Sequence, residues 1–488
     1  MLKFSAALKN KVDLNDYDWR RDIENRLLMS HFTVFDVEVL EEILHSSLQI
    51  QLPTLANALE ADLADVCAVV DKLSQTGLVK RSGDIIAVDK EMRKYYEFQI
   101  LKFDDRFKPN MDFLQGLLAK VPIHALPNWY SVPRTSTNIF QSLLEKYLLT
   151  PRIYQRYLLE LNYGDPVVTG IMEDVFSAPD YKLLSRDLRE KYHLSPELFE
   201  EYMLHLEFNF ICCLSYRRIG NEWKEVVTPF YEWMQYMRFK RDTVPVSIAD
   251  EESQKGKIVC DRPFECAFAT DLAAILKECA RSPLPVAKAP APLFFSLSDS
   301  SFDRLIRGLP DWPAADSERR SALNSYIGWI LQKLSFLGLV AIKDEFIVTL
   351  EAAREWDGMA IHDLALNILR HPRNRFISIK LGHQPRSDRH LREVERALSR
   401  AIDLKWVLFE DFMHGVSAPV RGAEEVVLKK IGRQWEYVRP QYSPEQIAFI
   451  RASIFERFFE AGFVMVGSHD GRDCFAITPF GKAMLSLP

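Results

Sequence analysis

The chain has 488 residues, 48% of them hydrophobic and 12% aromatic, which is more than one ordinary core absorbs and points to several domains. Its 62 basic and 68 acidic residues leave a net charge of −6, so a general electrostatic attraction to nucleic acid is excluded and only local patches remain for such contacts. No uninterrupted apolar window is long enough to span a bilayer and the N-terminus carries no apolar run of signal-peptide length, so a cytoplasmic protein without membrane contact is expected.

In chain order, the first strongly periodic segment is helical, with Leu63, Val66, Val69, Val70 and Leu73 on one face. Gly77 supplies the left-handed residue that stops it, and Leu78-Val79 opens a strand. The turn Ser82-Gly83-Asp84 leads into a second strand, Ile85 to Val88. The same phrase returns as Leu206…Phe210-Ile211-Cys212, Leu334…Gly338-Leu339-Val340 and Phe458…Gly462-Phe463-Val464. Its fifth positions, 77, 210, 338 and 462, lie 133, 128 and 124 residues apart. So steady a period predicts one structural unit used four times. Polar turns follow each copy, at Ile219-Gly220-Asn221, Lys343-Asp344-Glu345 and residues 468–473.

Asp89, Thr228, Thr349 and Thr478 stand where each hairpin ends, and each is a residue type that caps a helix N-terminus. Pro229 and Pro479 would then occupy first helical positions. Aromatic-rich exit helices are expected over residues 90–103 and 229–239. A shorter helix and a turn precede the long one, as in residues 52–60 and 181–189, the latter followed by His193-Leu-Ser195-Pro196. Two connectors are expected, a polar one at 243–256 and a stiff proline-rich one at 282–292. Residues 310–316 read as a loop that splits the third helix pair. The boundaries that follow are 1–108, 109–242, 243–358 and 359–488.

Helix, tight turn, helix and two-stranded wing is the winged-helix plan, a variant of helix-turn-helix. Residues 37–88 resemble winged-helix transcription factors of the MarR and ArsR type. Residues 458–485, with Gly462-Phe-Val and Ile477-Thr-Pro-Phe-Gly-Lys-Ala-Met-Leu485, resemble the winged-helix modules attached to XPB-type bacterial helicases. The resemblance implies a mainly α fold with small two-stranded hairpins, a tandem array of four winged-helix units. Phe210, where glycine is usual, and the insertion at 417–442 depart from the pattern.

DNA reading through the long helices needs donor side chains near their N-termini. The first offers Ala61, Asp62, Asp65 and Ala68 and the second Glu197, Glu200 and Glu201, carboxylates that phosphates repel. The third offers Arg319, Arg320, Ser321 and Asn324, and the fourth Ser443, Glu445, Gln446 and Arg451. The wings carry Lys80-Arg81 and Arg217-Arg218. The densest basic segment holds Arg370, Arg373, Arg375, Lys380, Arg386, Arg389, Arg392 and Arg396, suited to lie along a phosphate backbone. Lys429, Lys430 and Arg433, with Arg439, sit in the insertion beside Trp435 and Tyr437, a pairing that serves phosphate contact and base stacking.

No phosphate-binding loop, dinucleotide fingerprint, zinc-protease or nucleophile-elbow motif occurs, so no catalytic residue and no cofactor is expected. The seven cysteines read as reduced thiols, and Cys260, Cys266 and Cys279 lack the spacing of a metal site. The expectation is a non-enzymatic nucleic-acid-associated protein that contacts DNA through its basic C-terminal half, the acidic N-terminal half meeting protein partners. The alternative is a scaffold or subunit of a larger helicase or chromosome-organising complex, with the arginines turned inward.

Overall fold

The computed structural model describes residues 8–9, 11–136, 138–248, 258–287, 296–309, 317–379 and 388–486. It is mainly helical, with small sheets of two to four strands that are antiparallel apart from one two-residue parallel pair. The chain divides into two compact units, residues 1–238 with 427–438, and residues 239–426 with 439–488.

In the first unit an opening helix, Val34–His45, is started by a reciprocal cap between Thr33 and Asp36. A short strand, Gln49–Gln51, and helix Leu52–Ala58 lead to the long helix Leu63–Ser74, which buries Val66, Val69, Val70 and Leu73 as the periodicity requires. Gly77 follows at φ +79°. The hairpin Val79–Ser82/Ile85–Val88 pairs through its second strand with Gln49–Gln51, giving a three-stranded sheet. Asp89 accepts hydrogen bonds from Glu91 N and Met92 N and starts the exit helix Lys90–Gln99, which tightens to a 3-10 turn over Ile100–Phe103.

The same order recurs after four intervening helices. Pro166–Ser177, strand Leu183–Leu184 and Ser185–Tyr192 precede the long helix Pro196–Phe208, capped by Ser195. Hairpin Cys212–Ile219/Glu222–Pro229 and exit helix Tyr231–Asp242 complete it. Phe210 holds the stop position at φ +65° without being glycine. That backbone costs a side-chain-bearing residue roughly 1–2 kcal/mol. The ring offsets the cost by burial, which for a phenylalanine contributes about 1.5–3 kcal/mol. It stacks on Tyr130 at 4.9 Å, and its carbonyl accepts from Tyr154 Oη at 2.7 Å. Strands Val427–Ile431 and Gln434–Val438, though remote in sequence, fold with this unit. Leu428 N donates to Leu149 O at 2.8 Å, and Tyr437 Oη to Leu148 O at 2.9 Å.

In the second unit the third copy comprises Ala267–Arg281, strand Leu284–Ala287, Asp299–Gly308, the long helix Ser317–Leu337 and hairpin Val340–Lys343/Phe346–Thr349. Helix Ile361–Arg370 follows. The fourth comprises Asp388–Leu398, strand Val407–Leu408, Phe409–His414, Pro444–Ala452 running on as a π-turn over Ser453–Phe458, hairpin Val464–His469/Arg472–Ile477 and Pro479–Leu485. Both share one continuous core, from Cys266 to Ile477.

Three local expectations need correction. Thr228 lies inside a strand, paired with Cys213, and Pro229 is that strand's last residue rather than a first helical one. Thr349 likewise pairs with Val340, and the next short helix, Ala353–Trp356, begins after Ala352. Pairing with the partner strand continues past the point where capping chemistry alone would start a helix. The proline-rich connector is in part a strand, Leu284–Ala287, whose Pro285 lies opposite Phe346; residues 288–292 lie outside the described ones. In the polar connector Ser247 bridges to Val407, and 249–256 lie outside, as do 310–316. Thr478 caps as expected, accepting from Gly481 N at 2.9 Å.

Candidate nucleic-acid interface and buried charge centres

The opening helix of the fourth copy, Asp388–Leu398, buries Val394 and Leu398 and leaves Arg389, Arg392 and Arg396 exposed. Spacings of three and four residues put these arginines along one face. Arg392, Arg396 and Arg370, the last residue of Ile361–Arg370, all act on Glu395, whose carboxyl burial pushes up against their opposing pull. The fold therefore gathers three of the basic residues around one half-buried carboxylate. Arg396 also bridges to Glu393 at 2.8 Å. Beside them, His390 is held below its ordinary value by burial and by Arg389 and Arg421.

Arg373 and Arg375 are exposed and do different work locally. A β-carbon on Gly338 would stand 2.7 Å from the Arg373 guanidinium, so Arg373 lies behind the stop of the third long helix. Arg375 offers its backbone carbonyl to Lys333. Lys380 and Arg386 lie outside the described residues. In the inserted hairpin, Lys430 bridges to Asp112 at 2.8 Å, and Trp435 Nε1 donates to the same carboxylate at 3.1 Å. Lys429 and Arg433 are exposed, with Arg433 in the turn. Trp435 and Tyr437 pack against the core of the first unit, and Lys430, the cross-strand partner of Trp435, places its ammonium 5.7 Å from the centre of the Trp435 ring.

The long-helix positions behave unevenly. Asp62, Asp65 and Glu197 are exposed. Glu200 is not: it is 2% exposed and bound to Arg26 Nε at 2.6 Å. Arg320 bridges to Asp303 at 3.2 Å and lies over the Phe302 ring; the side chain of Arg319 is outside the described part. Gln446 is used in the helix cap with Ser443, and Arg451 Nε bonds Asp473 at 2.6 Å. In the wings, Arg81 bridges to Asp71 at 3.3 Å, while Arg217 and Arg218 are exposed.

Two buried charge centres had no clear sequence signature. In the first unit, Arg26 spans Glu200 and Glu207, bonding Glu207 through Nη1 at 2.8 Å and Nη2 at 3.1 Å, and Lys102 reaches Glu207 at 3.4 Å. Burial alone would raise the Glu207 pKa, but Arg26 and Lys102 outweigh it and hold it at about 2. Burial wins at Glu200, which is pushed up despite Arg26. In the second unit Lys333, fully buried, meets Glu456 and Glu460, each at 2.9 Å, and Asn374 Oδ1 at 3.0 Å. Glu456 also accepts from Ile377 N and from Ser378 N and Oγ; Trp329 Nε1 donates to Glu460 at 2.9 Å. The acidic partners of Lys333 lie 123 and 127 residues further on, beyond the reach of any local pattern.

A cleft of about 510 Å³ opens in the second unit between the third and fourth long helices, with Tyr326, Trp329 and Phe455 among its walls and Arg451 and Asp473 at its edge. Elsewhere in the same unit Glu265, Cys266 and His362 converge. Burial pushes the Cys266 thiol up to about 12. Among the described residues no helix is long and apolar enough to cross a membrane. No family model matches the chain, and no curated protein matches it.

Proposed function

We propose that the four recurring units are winged-helix modules and that the chain is a non-enzymatic, nucleic-acid-associated protein of regulatory or architectural type. Its contact surface is the exposed arginine face of Asp388–Leu398. The observation that carries the reading is the convergence of Arg370, Arg392 and Arg396, with Arg389 one turn away, on a chain whose net charge is otherwise unfavourable. Guanidinium groups in a row suit phosphate oxygens and bring affinity without sequence choice. The full-length chain is expected to retard duplex DNA at about 50 mM salt, with affinity falling steeply as salt rises. Changing Arg389, Arg392 and Arg396 together to alanine should lower the salt slope by about one unit for each phosphate no longer neutralised. Absence of retardation in the wild type, or an unchanged slope in the triple variant, sinks the proposal.

A second reading, a protein-interaction scaffold within a larger complex, is favoured by the burial of the long helices. Residues 330–334 of the third are buried all round, and residues 456–460 at the end of the fourth are equally so. Such helices are packing elements over those stretches. Isolation of the chain at native abundance would then yield a stoichiometric protein partner and no nucleic acid. A free chain in that experiment argues against the scaffold.

A further inference from the structure

We propose that Glu265, Cys266 and His362 form a zinc-type transition-metal site with three protein ligands and a fourth position for water. The three candidate ligand atoms all lie within 4.8 Å of one another. A tetrahedral zinc ion with bonds of about 2.0–2.3 Å holds its ligand atoms roughly 3.3–3.8 Å apart, so binding needs shifts of roughly an ångström, the Glu265–His362 pair opening from 2.9 Å and the longer separations closing. Each side chain is already held. Glu265 Oε2 accepts from Phe480 N at 2.8 Å, while Oε1 faces His362 Nε2 at 2.9 Å. The His362 ring stacks on Phe480 with centroids 4.5 Å apart. Cys266 stands at the start of Ala267–Arg281 with φ +54°, a left-handed backbone that a residue with a β-carbon adopts at a cost. Its Sγ fits only because position 462 is glycine; a β-carbon there would overlap the sulfur. A strained cysteine, a glycine vacated for its sulfur, and a stacked histidine tied to a carboxylate are three separate placements that meet at one point.

The donor set decides the cation. One sulfur, one imidazole nitrogen and one carboxylate oxygen suit zinc and its neighbours and not magnesium or calcium, which take oxygen shells. On binding, the Cys266 S–H bond breaks, its proton goes to solvent, and a metal–sulfur bond forms without change of oxidation state. Thiolate and carboxylate together balance the dication. His362 is 52% exposed, which leaves water access to the remaining position.

Cobalt(II) titration of the full-length, chelator-stripped, reduced protein tests this. One equivalent should bind with a thiolate-to-cobalt charge-transfer band, and zinc but not magnesium should displace it. His362→Ala, at an exposed position, should weaken binding by more than the roughly 10–100-fold that loss of an outer-sphere partner costs. Cys266→Ser should abolish the band; if that variant does not fold, the wild-type spectrum and His362→Ala decide. A wild-type protein without the sulfur band, or a band and affinity unchanged in the variants, overturns the site and leaves Glu265 and His362 as a hydrogen-bonded pair alone.

Discussion

In the first compact unit two cations, Arg26 and Lys102, converge on Glu207, whereas in the second a single ammonium, Lys333, stands between Glu456 and Glu460. Both arrangements are buried, yet they differ in charge supply. Where cations are in surplus around one carboxylate, its pKa falls to about 2. Where two carboxylates share a cation, burial and their mutual repulsion win at one of them, and Glu460 is pushed up. A buried carboxylate thus follows its count of near cations and not its depth alone. The helices involved differ too: Glu200 and Glu207 lie on the second long helix, Lys333 on the third and Glu456 on the continuation of the fourth.

The largest break in this comparison should come from Lys333→Met. It leaves two buried carboxylates without their ammonium, and removing one partner of a buried pair costs about 3–5 kcal/mol. Denaturant unfolding should show the loss in the second unit's transition, and an unchanged midpoint would refute the role given to Lys333. Glu207→Gln should cost slightly less, about 3 kcal/mol, because a polar amide still accepts from Leu214 N. It carries a pH signature. Glu207 has its folded pKa below the ordinary value of 4.5, so its stabilisation is present above about pH 4.5 and is lost as pH falls towards 2. Wild-type stability should therefore fall over that window, and the variant's should fall less.

Phe210→Gly tests the stop residues. Glycine relieves roughly 1–2 kcal/mol of left-handed strain, but truncating a buried phenylalanine costs about 3–5 kcal/mol, so a net loss of about 1–4 kcal/mol is expected. Glycine being neutral or stabilising there would show that the ring's packing adds nothing. The smallest effect should be Glu200→Gln. Its folded pKa lies above the unfolded one, so burying the carboxylate costs stability progressively as pH rises above about 4.5. A neutral isostere removes that cost and gives up only the charge on the bond to Arg26, so the variant should lose less stability at pH 7 than Glu207→Gln does and should gain on the wild type as pH rises above about 4.5. A loss as large as that of Glu207→Gln would show that both carboxylates are held ionised.

The repeat and its stops were readable because they rest on short-range chemistry. Gly77, Gly338 and Gly462 adopt the left-handed backbone their positions in the phrase require, and Asp89 and Thr478 cap the helices that follow. Thr228 and Thr349 show the limit, since each is an equally good cap on its own and strand pairing claims it first. At the candidate interface, the basic segment was readable as composition. Only the tertiary structure brings Arg370 within electrostatic reach of Glu395 together with Arg392 and Arg396, while Arg373 turns to Gly338.

By itself the sequence determined the period, the helix stops, the hairpin turns and the absence of long apolar spans, because each depends on residues within a turn or two of one another. Tertiary structure decided what Lys333 and Arg26 pair with, where residues 427–438 fold, and that Glu265 and Cys266 meet His362. Those outcomes depend on groups about a hundred residues or more apart in sequence, whose distances are set by how the helices pack and not by any local preference of the chain.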